Sequence, residues 1–415
     1  MENPKIKERS LGMKKIVWMI FFCFVFLGFA GQAASATKKG LIKIGMNMEL
    51  TGMLSEASTN VSKGARLYLD KIGHKVAGRD IEIIEMDSKS SPKVALEVQK
   101  KLVEMKKVHL VAFGTHSPSA IAIRDYSHEK KVPTIIIGFA GTSVVSQVKP
   151  SPYIFRTSYG EGACEVVMGR YAHQKLGFKK IALMTYDYAG ALGKIWPFQR
   201  AFEEVGGKIL QEVLTPMGVV DFAPYLANLN PKAEALFAFF PGNIACVRFI
   251  SQLLDYGILK KMSFIPYYTM TADYMIIPEF RKKVLGFYSS AYYAVSLDNP
   301  ENNAFKKAWA AKYPDDIPTN IYAATGYRGM KAICAALETI NGNSEDTAAF
   351  IKAMGKVEID DPCGGLKMDK NGVVIQNIYI REIKKVDGKI QNVVLDIAPW
   401  VHEQSLGYTI HPKMK

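Results

Sequence analysis

Side chains that can bind an anion follow two predicted strands in the first half of the chain. GTHSPS follows one strand and places His116 and Ser117 before a predicted helix. TIIIGFAGTS contains another strand, and its remaining residues include Phe139, Ala140, Gly141 and Thr142. Glycines let the backbone approach a ligand closely, and hydroxyls together with helix N-terminal N–H groups satisfy negative charge. These stretches predict a site for a nucleotide phosphate, for a substrate under attack, or for a small molecule that is only carried.

The strand ends in the second half of the chain are aromatic instead. YDYAG, FFPGN and YYTMTAD each end a further predicted strand. The candidate ligand-binding residues in these stretches are Tyr186, Tyr188, Asn243, Thr269 and Thr271. Ligands of open parallel sheets lie beyond the carboxyl ends of the strands. A wall of small polar groups that faces a wall of rings predicts a clamp around a small molecule.

Each candidate also has a purely structural explanation. Serine and threonine before a helix commonly act as N-caps, so Ser117 and Thr142 could serve only the helix termini. Tyr186 and Tyr188 could be core aromatics. Their shared location at strand ends favours the binding interpretation.

Motifs of common enzymes are missing. The chain contains neither G-x-S-x-G nor G-x-x-x-x-G-K-[ST], which excludes the usual nucleophile elbow and phosphate loop. Gly160-Glu161-Gly162 begins a dinucleotide fingerprint, but Glu165 stands where the third glycine belongs. A triad of Ser117, His116 and Asp187 is disfavoured because sequence neighbours rarely have the required geometry. The sequence predicts a binding protein rather than an enzyme, with no cofactor and no metal.

Hydrophobic periodicity alternates between strand and helix along most of the chain. The first α/β unit has predicted strands at 42–47, 81–87, 109–114 and 134–140. The second has predicted strands at 179–187, 208–214, 235–240 and 263–269, and a strand-rich tail includes 373–383. Helical patterns with short connections separate most of these strands. This order predicts an α/β fold with two lobes built on parallel sheets that helices cover.

The N-terminus carries the features of an export signal. Lys14 and Lys15 precede the apolar run Ile16–Ala30, and the small residues 34–36 follow. Fifteen apolar residues fall short of the ~20 that span a bilayer, so a cleaved signal peptide over 1–36 is favoured over a membrane anchor. The mature chain would then begin near Thr37 and leave the cytoplasm.

The net charge of the chain bears on whether it binds nucleic acid. Removal of residues 1–36 takes away five Lys/Arg and two Asp/Glu, so the net charge falls from +14 to +11. The lysines lie in short scattered clusters, which are typical of solvated surfaces, and no nucleic-acid partner is predicted.

Of the four cysteines after residue 36, Cys334 and Cys363 could form a disulfide in an oxidising compartment, or all four could be buried thiols.

Several segments together resemble a known family. LIKIGMNMELTG, VAFGTHSPSA, VPTIIIGFAGTS and YIFRTSYGEG occur in the order found in the leucine/isoleucine/valine-binding protein family. These proteins are type I periplasmic solute receptors of ABC importers. The resemblance implies two Rossmann-like lobes joined by a three-strand hinge, with a solute in the cleft between them. It divides the chain into a signal peptide (1–36), an N-terminal lobe (37–155 plus 291–360) and a C-terminal lobe (156–290 plus 361–415).

The family's binding positions match this chain unevenly. Ser117, together with Ala140 and Thr142, resembles the pocket that receives a ligand carboxylate. Where amino-acid binders place a tyrosine in the second lobe, this chain has Ala191. Where they place an acidic residue, it has the segment 269–271, and Asp273 follows two residues later.

These departures shape the predicted ligand. An ammonium group in a closed cleft is costly without a partner charge. An aromatic acid is therefore the favoured solute. A branched-chain amino acid is an alternative, since Asp187 or Asp273 could supply the charge, and an amide- or urea-type solute is another. The resemblance also implies a monomer whose closed form docks on a membrane permease. A sensing module for a membrane receptor and a secreted amide hydrolase are the alternative functions.

Overall fold

The structure is a computed structural model of the chain. It describes residues 40–140, 144–158, 162–241, 243–272, 283–316 and 319–402, without the side chains of Val144, Gln147, Ala189 and Asn243. The predicted signal peptide lies outside these ranges. Within them, no helix combines the length and the apolar character needed to cross a bilayer.

The first parallel sheet is built from residues before position 157. Its strands are β1 (Ile42–Met48), β2 (Lys75–Val76), β3 (Arg79–Asp87), β4 (Leu110–Phe113), β5 (Thr134–Ile136) and β6 (Ile154–Arg156). They lie in the order β2-β3-β1-β4-β5-β6, and every pair except β2–β3 is parallel. The helices of this part of the chain are α1 (Ser55–Lys71), α2 (Pro92–Lys100) and α3 (Ser117–Glu129), with π-helical turns at Lys101–Met105 and Val144–Val148.

A second parallel sheet follows. It contains β7 (Lys180–Tyr186), β8 (Lys208–Thr215), β9 (Ala235–Phe239) and β10 (Ser263–Pro266) in the order β10-β9-β7-β8. Its helices are α4 (Ala163–Gln174), α5 (Ala189–Glu204), α6 (Ala223–Ala227) and α7 (Asn243–Asp255), with 3₁₀ turns at Ile258–Lys260 and Tyr268–Thr271. The predicted α/β fold with two parallel sheets is confirmed. The fourth strand is shorter than predicted because the chain turns after Pro266, where the Met270 N–H donates to the Tyr267 carbonyl at 2.9 Å.

The described residues between 283 and 402 form a third, antiparallel sheet and three helices. Its strands are β11 (Tyr288–Ala291), β12 (Glu358–Ile359), β13 (Leu366–Met368), β14 (Val374–Val386) and β15 (Lys389–His402). β11, β14, β13 and β12 are neighbours in that order, and β15 pairs with β14. The helices are α8 (Pro300–Lys312), α9 (Ile321–Thr339) and α10 (Thr347–Met354). β14 includes most of the predicted tail strand at 373–383.

Two glycines allow α1 and α9 to pack closely. A Cβ atom on Gly64 would lie 1.9 Å from the carbonyl oxygen of Ala323. One on Gly326 would lie 1.8 Å from the carbonyl oxygen of Val61. Because backbone atoms occupy both positions, neither glycine can gain a side chain without a shift of a helix. This contact ties α9, far along the sequence, to the first α/β unit.

We expect Gly326→Ala to lower the free energy of unfolding by roughly 3 kcal/mol, because the added methyl group overlaps backbone that cannot rotate away. Urea denaturation measures the loss. Gly355→Ala is the matched control, since a Cβ there meets its nearest atom, the Ile351 carbonyl oxygen, at 3.4 Å. It should change stability by no more than about 0.5 kcal/mol. Equal losses in the two variants would contradict the close-packing explanation.

The four cysteines that the structure describes are buried thiols. Cys164, Cys246, Cys334 and Cys363 are all free in the structure. The alternative of a Cys334–Cys363 disulfide is therefore not realised in the structure. Burial raises the pKa of the Cys246 thiol to about 12, so this group stays protonated and unreactive at neutral pH.

Candidate functional site

Four aromatic side chains from distant parts of the chain meet at the strand ends. Phe139 lies just beyond β5, and its ring centroid is 4.5 Å from that of Tyr322 in the first turn of α9. The ring of Tyr292, directly after β11, lies 6.0 Å away, and that of Tyr268, after β10, lies 6.3 Å away. We call these four residues the aromatic cluster. It brings together strand ends of both parallel sheets, the place where ligands of such sheets bind.

The 3₁₀ turn after β10 places Tyr268 in the aromatic cluster. The Tyr268 ring packs on Tyr267 at a centroid distance of 4.4 Å. Tyr267 in turn lies 4.6 Å from Phe239, the last residue of β9. A continuous row of rings therefore runs from the end of β9 to Phe139. Aromatic pairs at such distances attract one another beyond their burial, so the row is a stable apolar wall.

The aromatic cluster also contains hydroxyl groups. The Tyr292 and Tyr268 side chains are almost completely buried, and burial raises the pKa of both phenols well above the ordinary value. Both hydroxyls are therefore neutral at physiological pH. The Tyr292 hydroxyl lies 3.0 Å from Thr325 Oγ1. A neutral phenol can donate to an oxygen of a bound molecule, which gives this apolar wall a polar function.

A polar surface lies where α3 begins. Ser117 is the first residue of α3, is half-buried, and makes no side-chain hydrogen bond to any residue that the structure describes. His116 precedes it, with Nδ1 2.7 Å from Ser119 Oγ. Burial lowers the pKa of the His116 imidazole, so it is neutral at pH 7. We call His116 and Ser117 the polar lip. Gly141 and Thr142, the other predicted members, lie outside the described residues.

Ala140, which the family resemblance places in the carboxylate pocket, does not offer its N–H group to a ligand. Its N–H donates to the carbonyl oxygen of Gly114 at 3.3 Å. Its side chain is buried in a small core with Phe113 and Ala120. The close approach of the β4 and β5 ends explains this, since a Cβ on Gly138 would lie 2.4 Å from the same Gly114 oxygen. In the structure Ala140 is a packing residue.

Of the candidates around β7, two are also packing residues. The Tyr186 ring contacts Phe240 at a centroid distance of 5.0 Å, and its hydroxyl donates to the Val219 carbonyl oxygen. Ala191, in the first turn of α5, is fully buried. Only Tyr188 is half-buried, at the N-cap of α5. The alternative of core packing therefore describes Tyr186, whereas Tyr188 keeps some exposure.

The two threonine candidates after β10 differ in burial. Thr271 is buried, and its hydroxyl donates to the Tyr268 carbonyl oxygen at 3.3 Å. Thr269 is half-buried and could face a ligand. The Asn243 side chain lies outside the described part of the structure, as does Asp273. Asp187 is exposed to solvent.

The sequence-based prediction missed Tyr268, Tyr292 and Tyr322. For Tyr292 the pair Tyr292-Tyr293 was the available signal, because adjacent side chains that continue a strand point to opposite sides. The rings of Tyr267 and Tyr268 instead pack on each other in the turn after β10. Tyr293 points away from the aromatic cluster, with its hydroxyl 3.1 Å from Asn302 Oδ1. Tyr322 carried no comparable signal, since helical periodicity makes it look like an ordinary core residue.

The part of the chain that the structure describes contains no candidate metal site. Among the described residues, no three His, Cys, Asp or Glu side chains are grouped so that they could hold an ion.

Two parallel sheets whose strand ends meet at the aromatic cluster define a two-lobed, type I solute-binding protein. The model of the periplasmic binding protein family matches residues 41–389, and the chain belongs to that family. The predicted class, a substrate-binding protein of ABC-transporter type, is thereby confirmed.

Individual relatives agree with this assignment. An ABC transporter substrate-binding protein from Sphaerobacter thermophilus superposes with a TM-score of 0.82 at 31% identity, covering 86% of this chain and 98% of that one. A solute-binding protein of an ABC transporter from Rhodopseudomonas palustris, in complex with 3,4-dihydroxybenzoic acid, gives 0.81 at 28% identity, covering 88% and 99%. A Leu/Ile/Val-binding protein homolog from Brucella suis is 27% identical over 363 residues, 86% of this chain and 90% of the relative.

Proposed function

We propose that this protein delivers an aromatic carboxylate to an ABC importer and holds the solute ring against the aromatic cluster. The observation that carries the proposal is the meeting of Phe139, Tyr268, Tyr292 and Tyr322 at the strand ends of both sheets. Offset and edge-to-face contacts favour a planar ring over an aliphatic side chain. Small-molecule sites are mostly apolar with a few placed polar groups, which fits this arrangement.

The polar lip supplies the groups for the carboxylate. Ser117 has a hydroxyl that no described residue uses, and it begins α3. A helix N-terminus presents N–H groups and a partial positive charge, both of which stabilise an anion. Thr142 is proposed as the second hydroxyl. The solute would therefore lie with its carboxylate on α3 and its ring on the aromatic cluster.

The R. palustris neighbour gives independent support. That protein binds 3,4-dihydroxybenzoic acid, a ring with a carboxylate and two hydroxyls. The hydroxyls of Tyr268 and Tyr292 in this chain are neutral and lie in the aromatic cluster, where they could pair with ring hydroxyls of such a solute. A hydroxybenzoate is therefore the preferred candidate within the class.

A branched-chain amino acid is the second candidate. The name of the Brucella relatives favours it, and Glu165, buried at the start of α4 beside Tyr268, could pair with an ammonium group. Against it stands the segment after β10, where Thr269 and Thr271 occupy the place of an acidic residue. The exposed Asp187 would also have to leave solvent to reach a buried ammonium.

The N-terminus and the family support a proposal for the cellular location and the membrane partner of this protein. We propose that residues 1–36 are removed on export, that the mature protein acts in the periplasm as a monomer, and that its closed form docks on the membrane permease. The lobe boundaries at residues 155/156, 290/291 and 360/361 belong to the same proposal. Hinge closure around a solute is the conformational change that a permease can recognise.

A thermal-shift panel tests the solute class. The mature protein, residues 37–415, is mixed with benzoate, 4-hydroxybenzoate, 3,4-dihydroxybenzoate, leucine, valine and urea. We expect the three aromatic acids to raise the melting temperature, because a ligand stabilises the folded state by about 2.7 kcal/mol at a hundred times its Kd. Benzamide is the control for the carboxylate, since it keeps the ring and lacks the charge. Stabilisation by leucine but by none of the aromatic acids would overturn the proposal.

A further inference from the structure

The carboxylate of Glu49 is buried directly behind the polar lip. Glu49 follows β1 and is completely inaccessible to solvent. Its Oε2 accepts from the Thr115 N–H at 2.7 Å, from Thr115 Oγ1 at 3.0 Å and from Ser58 Oγ at 2.9 Å. Its Oε1 accepts from the His116 N–H at 3.2 Å. Two successive backbone amides and two hydroxyls therefore converge on one side chain.

None of the salt bridges among the described residues includes Glu49. Burial raises the pKa of its carboxyl, and the donors of Thr115, Ser58 and His116 counteract that rise. Such a group is costly to bury, so its hydrogen bonds must hold the surrounding backbone firmly. Gly114 leaves the space that the Glu49 carboxylate occupies, since a Cβ on Gly114 would lie 2.2 Å from Glu49 Oε2.

The hydrogen bonds to Glu49 fix the direction of the loop that leads into α3. With the Thr115 and His116 amides turned inward to Glu49, the chain enters α3 at Ser117, which is half-buried, and Pro118, which is exposed. A loop released from Glu49 would be free to rotate these amides, and Ser117 would lose its fixed place.

We propose that Glu49 is the positioning residue of the polar lip: it does not touch the solute, but it fixes the segment Thr115–Ser117 on which the solute carboxylate is bound. This inference rests on the proposed function. It predicts that a change at Glu49 weakens solute binding through the loop alone.

Titration calorimetry with 4-hydroxybenzoate and hydrogen exchange of the backbone amides test this together. In Glu49→Ala, which loses all four bonds, we expect Kd to rise about tenfold or more and the Thr115 and His116 amides to exchange at least about tenfold faster. Glu49→Gln should recover a large part of both losses, because its amide oxygen can replace Oε2. The amide nitrogen would still face the His116 N–H, so recovery should be incomplete.

Asp87→Ala is the matched control. Asp87, at the end of β3, accepts a comparable set of bonds from Leu50 N, Thr51 N, Thr51 Oγ1 and Lys89 N. It holds Leu50 and Thr51, which directly follow Glu49, and Lys89, but no group of the segment Thr115–Ser117. We therefore expect its loss to leave Kd within about twofold and the Thr115 amide protected. If Glu49→Ala does not fold, Ser58→Ala and Thr115→Val each remove one of the four bonds, and each should give a smaller change in the same direction.

The outcomes separate this inference from the proposed function. If wild-type protein binds no aromatic acid, the proposed function fails, but the exchange of the ligand-free protein still tests Glu49. The inference itself is overturned if folded Glu49→Ala keeps its amide protection and its affinity, or if Asp87→Ala loses as much affinity.

Discussion

Replacement of Phe139 by alanine is expected to weaken binding of a hydroxybenzoate by roughly 2–3 kcal/mol, or on the order of 100-fold in Kd. The reason is the position of Phe139, whose ring packs against three tyrosines that follow β10, follow β11 and begin α9, and which is itself half-buried. Its loss would remove the ring of the first sheet from the aromatic cluster. Calorimetric titration of the mature protein measures the change.

Phe178→Ala is the control for this variant. Phe178 is also a half-buried phenylalanine, but it precedes β7 and so lies at the amino end of the second sheet, away from the aromatic cluster. It should lower stability without changing Kd more than about twofold. Phe139→Tyr should retain most of the affinity because the ring remains. Normal affinity in a folded Phe139→Ala protein would remove the aromatic cluster from the proposed site.

Replacement of Arg328 by alanine is expected to lower the free energy of unfolding by about 3–5 kcal/mol, because it leaves a buried charge without its partner. Arg328 and Asp361 are both completely buried, with 3.0 Å between Nη2 and Oδ2. The guanidinium also donates to Gln376 Oε1 at 2.6 Å and to the Gly365 carbonyl oxygen at 3.0 Å. One side chain of α9 therefore holds the connection between β12 and β13 and the start of β14.

Arg170→Ala provides the comparison, since the pair of Arg170 with Glu204 is exposed at 41% and 49%. Exposed pairs contribute at most about 1 kcal/mol. The double variant Arg328→Met with Asp361→Leu should recover part of the stability, since it leaves neither charge unpaired. Chemical denaturation of the four proteins measures these differences. An Arg328→Ala loss no larger than that of Arg170→Ala would show that the buried pair does not stabilise the fold.

The sequence alone was sufficient for the fold class, and it named the ends of β4, β5 and β10 as candidate binding positions. Alternating periods of apolar residues are local properties, so they predicted both parallel sheets before any contact was known. The carboxyl ends of parallel strands share one edge, which made Phe139 and Ser117 candidates for a binding edge, and their role in binding stays a prediction. The absence of nucleophile and phosphate-binding motifs favoured a binding protein, and the order of several segments identified the family.

Only the tertiary structure decided which aromatic residues meet. Tyr186 and Tyr268 both follow or end strands of one sheet, yet Tyr186 packs inside it whereas Tyr268 reaches Phe139. The sequence does not distinguish the two tyrosines, because core packing and ligand binding use the same residue types. The 3₁₀ turn after β10 and the approach of α9 make the difference.

The use of backbone groups was also decided by packing between distant strands. The Ala140 amide is taken by Gly114, and the Thr115 and His116 amides are taken by Glu49. Residue types determine which side chains can bind an anion and how a segment folds locally. They do not determine which donors are already satisfied, because that depends on contacts between residues tens to hundreds of positions apart.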